Sequence, residues 1–433
     1  MLSLNEAASY ALDALTKAGA KQGEVTLSRT QKDELTADAG RFTLFRTTRS
    51  AAVGMKALID GRKGVSALNS LEKDAIDACA RECVESALGA QPDPAEELAP
   101  LTENDSFVRG VLECDRPALY DRAEEFLGDV AREFPAICLE QVCASFVYSN
   151  EIFLNTNGVR YEDENGGYDF NAMFSAKDGE NASSFNYFGV VADNLDSPFI
   201  ALADHRTQLR QSAASLHTVP FGKKLLGQIV LMPDCFDELL NEALNSFCGS
   251  SAIIDSTSPW KDKLGTAVAA PFLTVSSDPF DGRLSVCGER FHGGEKSRAE
   301  DIISGGVLKN FLLSRYASNK TGFKRFPNGG GHIVVSGAPD GVLPLEKLLS
   351  GIDRGLLVGR FSGGQPTGSG DFSGVAKNSF LIEGGRITNA VSETMISGNL
   401  QDLMKDMCAI SAESRCDGNS VLPYALCDGV TIS

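Results

Sequence analysis

Residues 239–246, Leu-Leu-Asn-Glu-Ala-Leu-Asn-Ser, decide how this chain is read. They sit in a segment whose apolar residues, Phe236, Leu239, Leu240, Ala243, Leu244 and Phe247, recur at the i, i+3, i+4, i+7, i+8 spacing of a helix with one buried stripe. Pro233 suits the opening turn, Asp234 can serve as N-cap, and Gly249 is a stop signal two residues past the stripe. Asn241, Glu242, Asn245 and Ser246 fall between the stripe residues. On these grounds alone Glu242 is a solvated glutamate on an amphipathic helix.

Outward from this helix, 433 residues exceed a typical single domain, and two domains are expected. A hydrophobic fraction of 42% with 23% charged residues is ordinary for a globular chain with a sizeable core. The net charge of −18, with pI near 4.8, repels a phosphate backbone, so direct nucleic-acid binding is not expected. The densest basic clusters, 315–325 and 206–224, are expected to be solvated surface. The start, MLSLNEAASYALDAL, carries Glu6 and no basic region ahead of its apolar residues, which argues against a secretory signal. No apolar run reaches the roughly 18 residues of a membrane span. A cytoplasmic location is therefore the expectation, and the eleven cysteines, without a C-x-x-C pair, are expected as reduced, buried small hydrophobes.

In chain order, Ser3 and Glu6 form a capping-box signature ahead of a helix that ends at Gly19. From 24 to 69 short β-rich runs (EVTLSRT, LTADAG, FTLFRTT, AAVGMKALI, GVSALN) predict an antiparallel meander. Ser70 is expected to cap a helix whose inner face carries Leu71, Ala75, Ala78, Cys79, Cys83, Ala87 and Leu88 before Gly89. Residues 89–105 read as an exposed connector. A helix over 117–134 follows, then strands with a hairpin at Asn157-Gly158, and one more helix over 200–216. The second half opens with the strand QIVLM, and after the helix of 236–247 it is a series of short strands. Helices are expected there only at 345–349 and 400–407, and a hairpin turns on Gly384-Gly385. The fold class is α+β. Residues 1–219 form an N-terminal domain of antiparallel strands flanked by helices, and 220–433 form a β-rich domain with a central buried helix.

LLNEALNS resembles the metal-binding helix of the TldD/PmbA family of peptidases, whose catalytic members read His-Glu-x-x-x-His. Asn241 and Ser246 stand where the two histidines would be, and only Glu242 is retained. The resemblance extends to STSPWKDKLG, GVLKNFLLSRYASNKTG, GLLVGRF, GSGDFSG and ISGNLQDL, which occur in the family's order and approximate spacing. A catalytic zinc takes three protein ligands and keeps a position for water, so the loss of two abolishes the site. The resemblance also makes Cys416 a former ligand position, here expected as a plain buried thiol. It places the loop Gly368, Gly370, Asp371, Phe372, Ser373 near a peptide cleft. Without the family, that run is a tight loop entering a strand, and it matches no phosphate-binding pattern.

His205, His217, His292 and His332 never pair at ligand spacing, and each is expected at the surface or lightly buried. His292 stands where the family has an Asp-x-Glu-Gly run, and is a possible cleft residue. No G-x-S-x-G elbow or cysteine–histidine pair supports another nucleophile. Histidines five apart diverge by about 140° on a straight helix, whereas Asn241 and Ser246 demand no distortion, so a regular helix is predicted. The resemblance thus implies the family's non-metal-binding branch: a non-catalytic subunit, with no cofactor of its own, that completes a peptide cavity beside a TldD-like subunit carrying zinc. Its alternatives are an autonomous metallopeptidase homodimer and a regulator that touches DNA gyrase through protein contacts.

Overall fold

The computed structural model describes residues 3–392 and 394–433, which build two large sheets and one two-stranded sheet in an α+β arrangement. Helix α1 (Leu4–Ala18) opens with the anticipated capping box: the Ser3 hydroxyl accepts from the Glu6 amide at 3.2 Å, and the Glu6 carboxylate from the Ser3 amide at 2.8 Å. The short runs expected over 24–69 are fused into three long antiparallel strands, β1 (Gln22–Asp38), β2 (Arg41–Ile59) and β3 (Arg62–Leu68). The polar residues that read as a break between two runs, Arg49 and Ser50, remain in the ladder because their side chains are exposed while the backbone stays paired.

Helix α2 (Lys73–Gly89) departs from expectation at its start and in its inner face. Its N-cap position is Glu72, and the Ser70 hydroxyl instead accepts from the Glu72 amide at 3.2 Å. The buried face is Ile76, Cys79, Ala80, Cys83, Val84 and Ala87, and Leu88 is 54% exposed. Gly64 of β3 explains the rotation, because it lies so close to the Cys83 and Ala87 backbone that no side chain fits between them.

Residues 89–105 are not simply exposed: Ala95, Leu98 and Ala99 are buried, and a strand the sequence did not signal, β4 (Asp105–Gly110), follows. Then come α3 (Arg116–Glu133), capped by the Asp115 carboxylate on the Ala118 amide, and β5 (Ile137–Asn155), β6 (Arg160–Asp178), β7 (Asn181–Ala182) and β8 (Asn186–Ala192). The β5–β6 hairpin turns at Gly158 with φ 90°. In place of one helix over 200–216 there is a 3-10 turn, Phe199–Ala201, and then α4 (His205–Ala214). Ala203 and Asp204, with φ 44° and 59°, interrupt the helical path.

The first sheet runs β3-β2-β1-β5-β6-β4, with β7 and β8 also on β6, and only β4 pairs in parallel. Residues of one parity in β1 bury against two cores: Val25 and Leu27 in the core of α1 and α2, Leu35 and Ala37 in that of α3.

The second sheet begins with β9 (Thr218–Pro220), which pairs in parallel with Arg386–Ser392, and β10 (Leu225–Leu231). Strand Val421–Ile432 lies at its centre, paired with β10, Met407–Cys416 and Thr394–Asn399. Helix α5 (Pro233–Cys248) packs over it. The hairpin at Gly384 and Gly385 forms as expected, with φ 54° and 77°. Helix α6 (Ser250–Ile254) continues directly from Gly249, and α7 (Arg315–Thr321) lies in a basic cluster expected to be solvated. That expectation fails for Arg315 and Arg325, which both pair with Glu295 and are largely buried. Helices α8 (Leu345–Ser350) and α9 (Leu400–Lys405) fall where anticipated. All eleven cysteines are free, but only Cys79, Cys83, Cys235, Cys248 and Cys427 are fully buried, and Cys408 is exposed. No described helix is long and apolar enough to cross a membrane.

Candidate functional site: a cleft at the start of the central helix

Helix α5 buries the whole predicted stripe, from Phe236 to Phe247, and Phe247 meets the fully buried Trp260 at 4.9 Å between ring centroids. It runs unbroken over Pro233–Cys248. Its N-cap is Met232, not Asp234: Met232 is extended, Pro233 takes the first helical position, and Asp234 lies in the first turn, where a carboxylate suits the helix dipole.

Two of the polar positions singled out by sequence are engaged within the fold. Asn241 donates through Nδ2 to Asp237 Oδ1 at 3.0 Å. The Gln365 amide, with its nitrogen toward α5, donates to both Glu242 carboxylate oxygens at 3.0 Å. Ser246 is half-buried. The Cys416 thiol points elsewhere, donating to the Arg283 carbonyl at 3.1 Å beside Leu284, Val334 and Val421, and burial raises its pKa. A zinc ion does not fit this donor set, which offers a neutral amide, a hydroxyl and a single carboxylate on α5 and a protonated thiol on the remote strand Met407–Cys416. Among the described residues, no three His, Cys, Asp or Glu side chains converge as a metal site.

The loop from Gly368 packs on the other end of α5. Gly370 has φ 97°, and a Cβ there would stand 2.7 Å from Phe247 Cζ, so only glycine fits. Asp371 accepts from Asn399 Nδ2 at 2.9 Å and Ser369 Oγ at 2.8 Å, which hold its pKa below the usual carboxylate range. Phe372 is buried edge-on to Phe361, while Gly368 and Ser373 are exposed. Asp371 and Phe372 line a cavity of about 360 Å³ with Asn399, Asp402 and Asp428.

His292 sits in a two-strand hairpin, its Nδ1 2.8 Å from Glu289 Oε1. It lines a separate acidic pocket of about 320 Å³ with Glu24, Glu151 and Asp163. His332 precedes the strand Ile333–Gly337, and its Nε2 accepts from the Glu289 amide at 3.0 Å. His205 corrects the expectation of exposed histidines. It is completely buried, stacked on Phe188 at 3.9 Å with Nδ1 2.7 Å from the Phe199 carbonyl, and burial lowers its pKa to about 3.

A cavity of about 460 Å³ lies between the sheets and was not anticipated. Its walls are β6, β8 and α4 on one side, and on the other the first turns of α5 with Arg360, Arg415 and Asp417. The halves are stitched together around it: the Val191 amide donates to the Asp417 carbonyl at 2.8 Å, and Ser285 Oγ donates to Asp193 at 2.5 Å. Asp237 faces this cleft, its pKa raised to about 6 by burial and by Asp417, against the opposing donation from Asn241. Of the residues missed, only Asp237 had a local signal, since it lies one turn before Asn241 on the same helix face. Arg415, Asp417 and Asp204 reach the site from remote segments, with no local sequence sign.

Residues 226–433 match the family described as PmbA/TldA metallopeptidase C-terminal domain. A metalloprotease PmbA homolog of Haemophilus influenzae is 24% identical over 99% of this chain and 96% of its own. Among solved structures, TldE from Thermococcus kodakarensis is similar with a TM-score of 0.84 at 17% identity, over 99% of this chain and 100% of that one. A candidate modulator of DNA gyrase from Bacteroides thetaiotaomicron is similar with a TM-score of 0.85 at 21% identity, over 99% of this chain and 98% of that one. At these identities the two structures speak for a shared fold.

Proposed function

This chain belongs to the PmbA/TldD family as a PmbA/TldE-type member, and from that premise we propose that it is the non-catalytic subunit of a TldD-type cytosolic metallopeptidase. Its two domains, 1–219 and 220–433, complete the wall of a cavity that admits extended peptides, while a TldD-like subunit supplies the zinc. The observation that carries this reading is the state of α5. Where a metal-binding helix would present two imidazoles, Asn241 is committed to Asp237, Ser246 is a hydroxyl, and the retained Glu242 is held by Gln365. The GSGDFSG loop and the interdomain cleft then act through shape and contact.

The test has two arms. Protein purified without chelator is analysed for metal and assayed alone for peptide hydrolysis, and the expected result is no stoichiometric zinc and no chelator-sensitive activity. Pull-down with a TldD-like chain is expected to recover a complex. Tightly bound zinc with activity that chelator removes favours the autonomous homodimer instead. The description of the Bacteroides relative as a candidate gyrase modulator favours one further reading, contact with gyrase through protein surfaces. The net charge of −18 weighs against contact with DNA itself.

A further inference from the structure

The cleft between the sheets is unevenly charged. Six carboxylates line it, Asp169, Asp204, Asp234, Asp237, Glu238 and Asp417, against two guanidinium groups, those of Arg360 and Arg415. Arg360 is turned onto the Phe185 ring at 4.3 Å and is occupied there. Asp237, Asp417 and Arg415 converge further, since all three also line a small recess at the first turn of α5.

Two features of this recess call for a ligand with both donors and an acceptor. One oxygen of each carboxylate is used by the fold: Asp237 Oδ1 by Asn241, and Asp417 Oδ1 by the Asn419 and Ser420 amides, both at 2.8 Å. The second oxygens are left for a donor, apart from a 3.4 Å contact between Asp417 Oδ2 and Ser420 Oγ. Arg415 is only 8% exposed and lies against the Asp234 carboxylate, yet neither its Nε nor its Nη1 has a hydrogen-bond partner in the protein. A buried guanidinium N–H without a partner is costly, and a carbonyl oxygen satisfies it.

We infer that the part of the large cleft beside this recess, where the same three residues line it, binds the free amino terminus of an extended peptide, the ammonium at Asp237 and Asp417 and the first carbonyl oxygen toward Arg415. An amino terminus carries a cation and a carbonyl acceptor within one residue and so can serve both features, whereas a lysine ammonium lies at the far end of a four-carbon side chain from its own carbonyl. The rest of the peptide runs along β8, which pairs only with β6 and turns residues 186–191 toward the cleft. This inference rests on the proposed role of the cleft in holding peptides.

The test measures binding by fluorescence anisotropy of three alanine-rich hexapeptides, labelled at the C-terminus, to the purified full chain. One has a free amino terminus, one is N-acetylated, and one is N-acetylated with a lysine at its second position. The free terminus is expected to bind at least about tenfold more tightly than both others, the scale of a lost charge-assisted hydrogen bond. Asp417→Asn is expected to bring the free peptide down to the acetylated level and to leave the acetylated peptides unchanged, a contrast that also reports an intact fold. Equal binding of free and acetylated peptides overturns the inference and leaves the cavity-wall role standing. Full recovery by the lysine peptide shows a general cation site and overturns the assignment to the amino terminus. No binding of any peptide overturns the inference together with the peptide-holding role.

Discussion

Asn241 donates to the Asp237 carboxylate at 3.0 Å, one turn back along α5, and so steadies an acid of the cleft. The acid is poised: burial and Asp417 lift its pKa from 3.8 to about 6. The folded chain therefore holds the Asp237 proton more tightly than the unfolded chain does, and ionising this group costs stability as pH rises from about 4 through 6.

Asp237→Asn removes that cost. The variant is expected to be more stable than the wild type by about 1–2 kcal/mol at pH 7, less than a rise from 3.8 to about 6 implies because the side chain is partly solvated. The difference should vanish below about pH 4. Urea denaturation of both proteins from pH 4 to 8 checks it, and a difference that grows toward acid pH would contradict the assignment.

Glu295 bridges Arg315 and Arg325, two guanidinium groups largely withdrawn from water. Glu295→Gln removes the carboxylate they share, leaving only the more distant Glu24, Glu97 and Glu289, and is expected to cost about 1–3 kcal/mol. Because the three groups keep some exposure, part of that loss should shrink between low and high salt, which paired chemical denaturation experiments measure.

Gly370 combines a left-handed backbone with the Phe247 ring edge where a Cβ would go. Gly370→Ala is expected to lower stability by about 2–4 kcal/mol, and Ser369→Ala next to it by less than about 1 kcal/mol. Equal effects in thermal unfolding would show that the loop is not pinned at Gly370.

On α2, Leu88 faces solvent and Ile76 faces the core. Leu88→Ser should change stability by no more than about 0.5 kcal/mol, while Ile76→Ala should cost about 2–4 kcal/mol. Denaturation midpoints of the two variants decide whether the helix is rotated as described.

Where burial repeats with the helical period, as from Phe236 to Phe247, the pattern of residues alone located α5 and its inner face. On α2 the same reasoning chose Leu88 over Ile76, because small residues at Ala75, Ala78 and Ala80 make several faces look alike and the close approach of Gly64 selects among them. Strand lengths in β1 and β2 were underestimated for a related reason: exposed polar residues resemble turns in a list of residues, yet they remain paired to neighbours that only the sheet supplies.

By itself the sequence determined the α+β class, the Ser3–Glu6 capping box, the hairpin turns and the central helix. These rest on local backbone preferences and on the identity of single side chains. Only the tertiary structure decided that Asp237, Arg415, Asp417 and Asp204 share one cleft, that Asn241 serves Asp237, and that His292 belongs to a different pocket. Such proximity depends on how two sheets dock across long chain separations, and residue order along the chain carries no distance information of that kind.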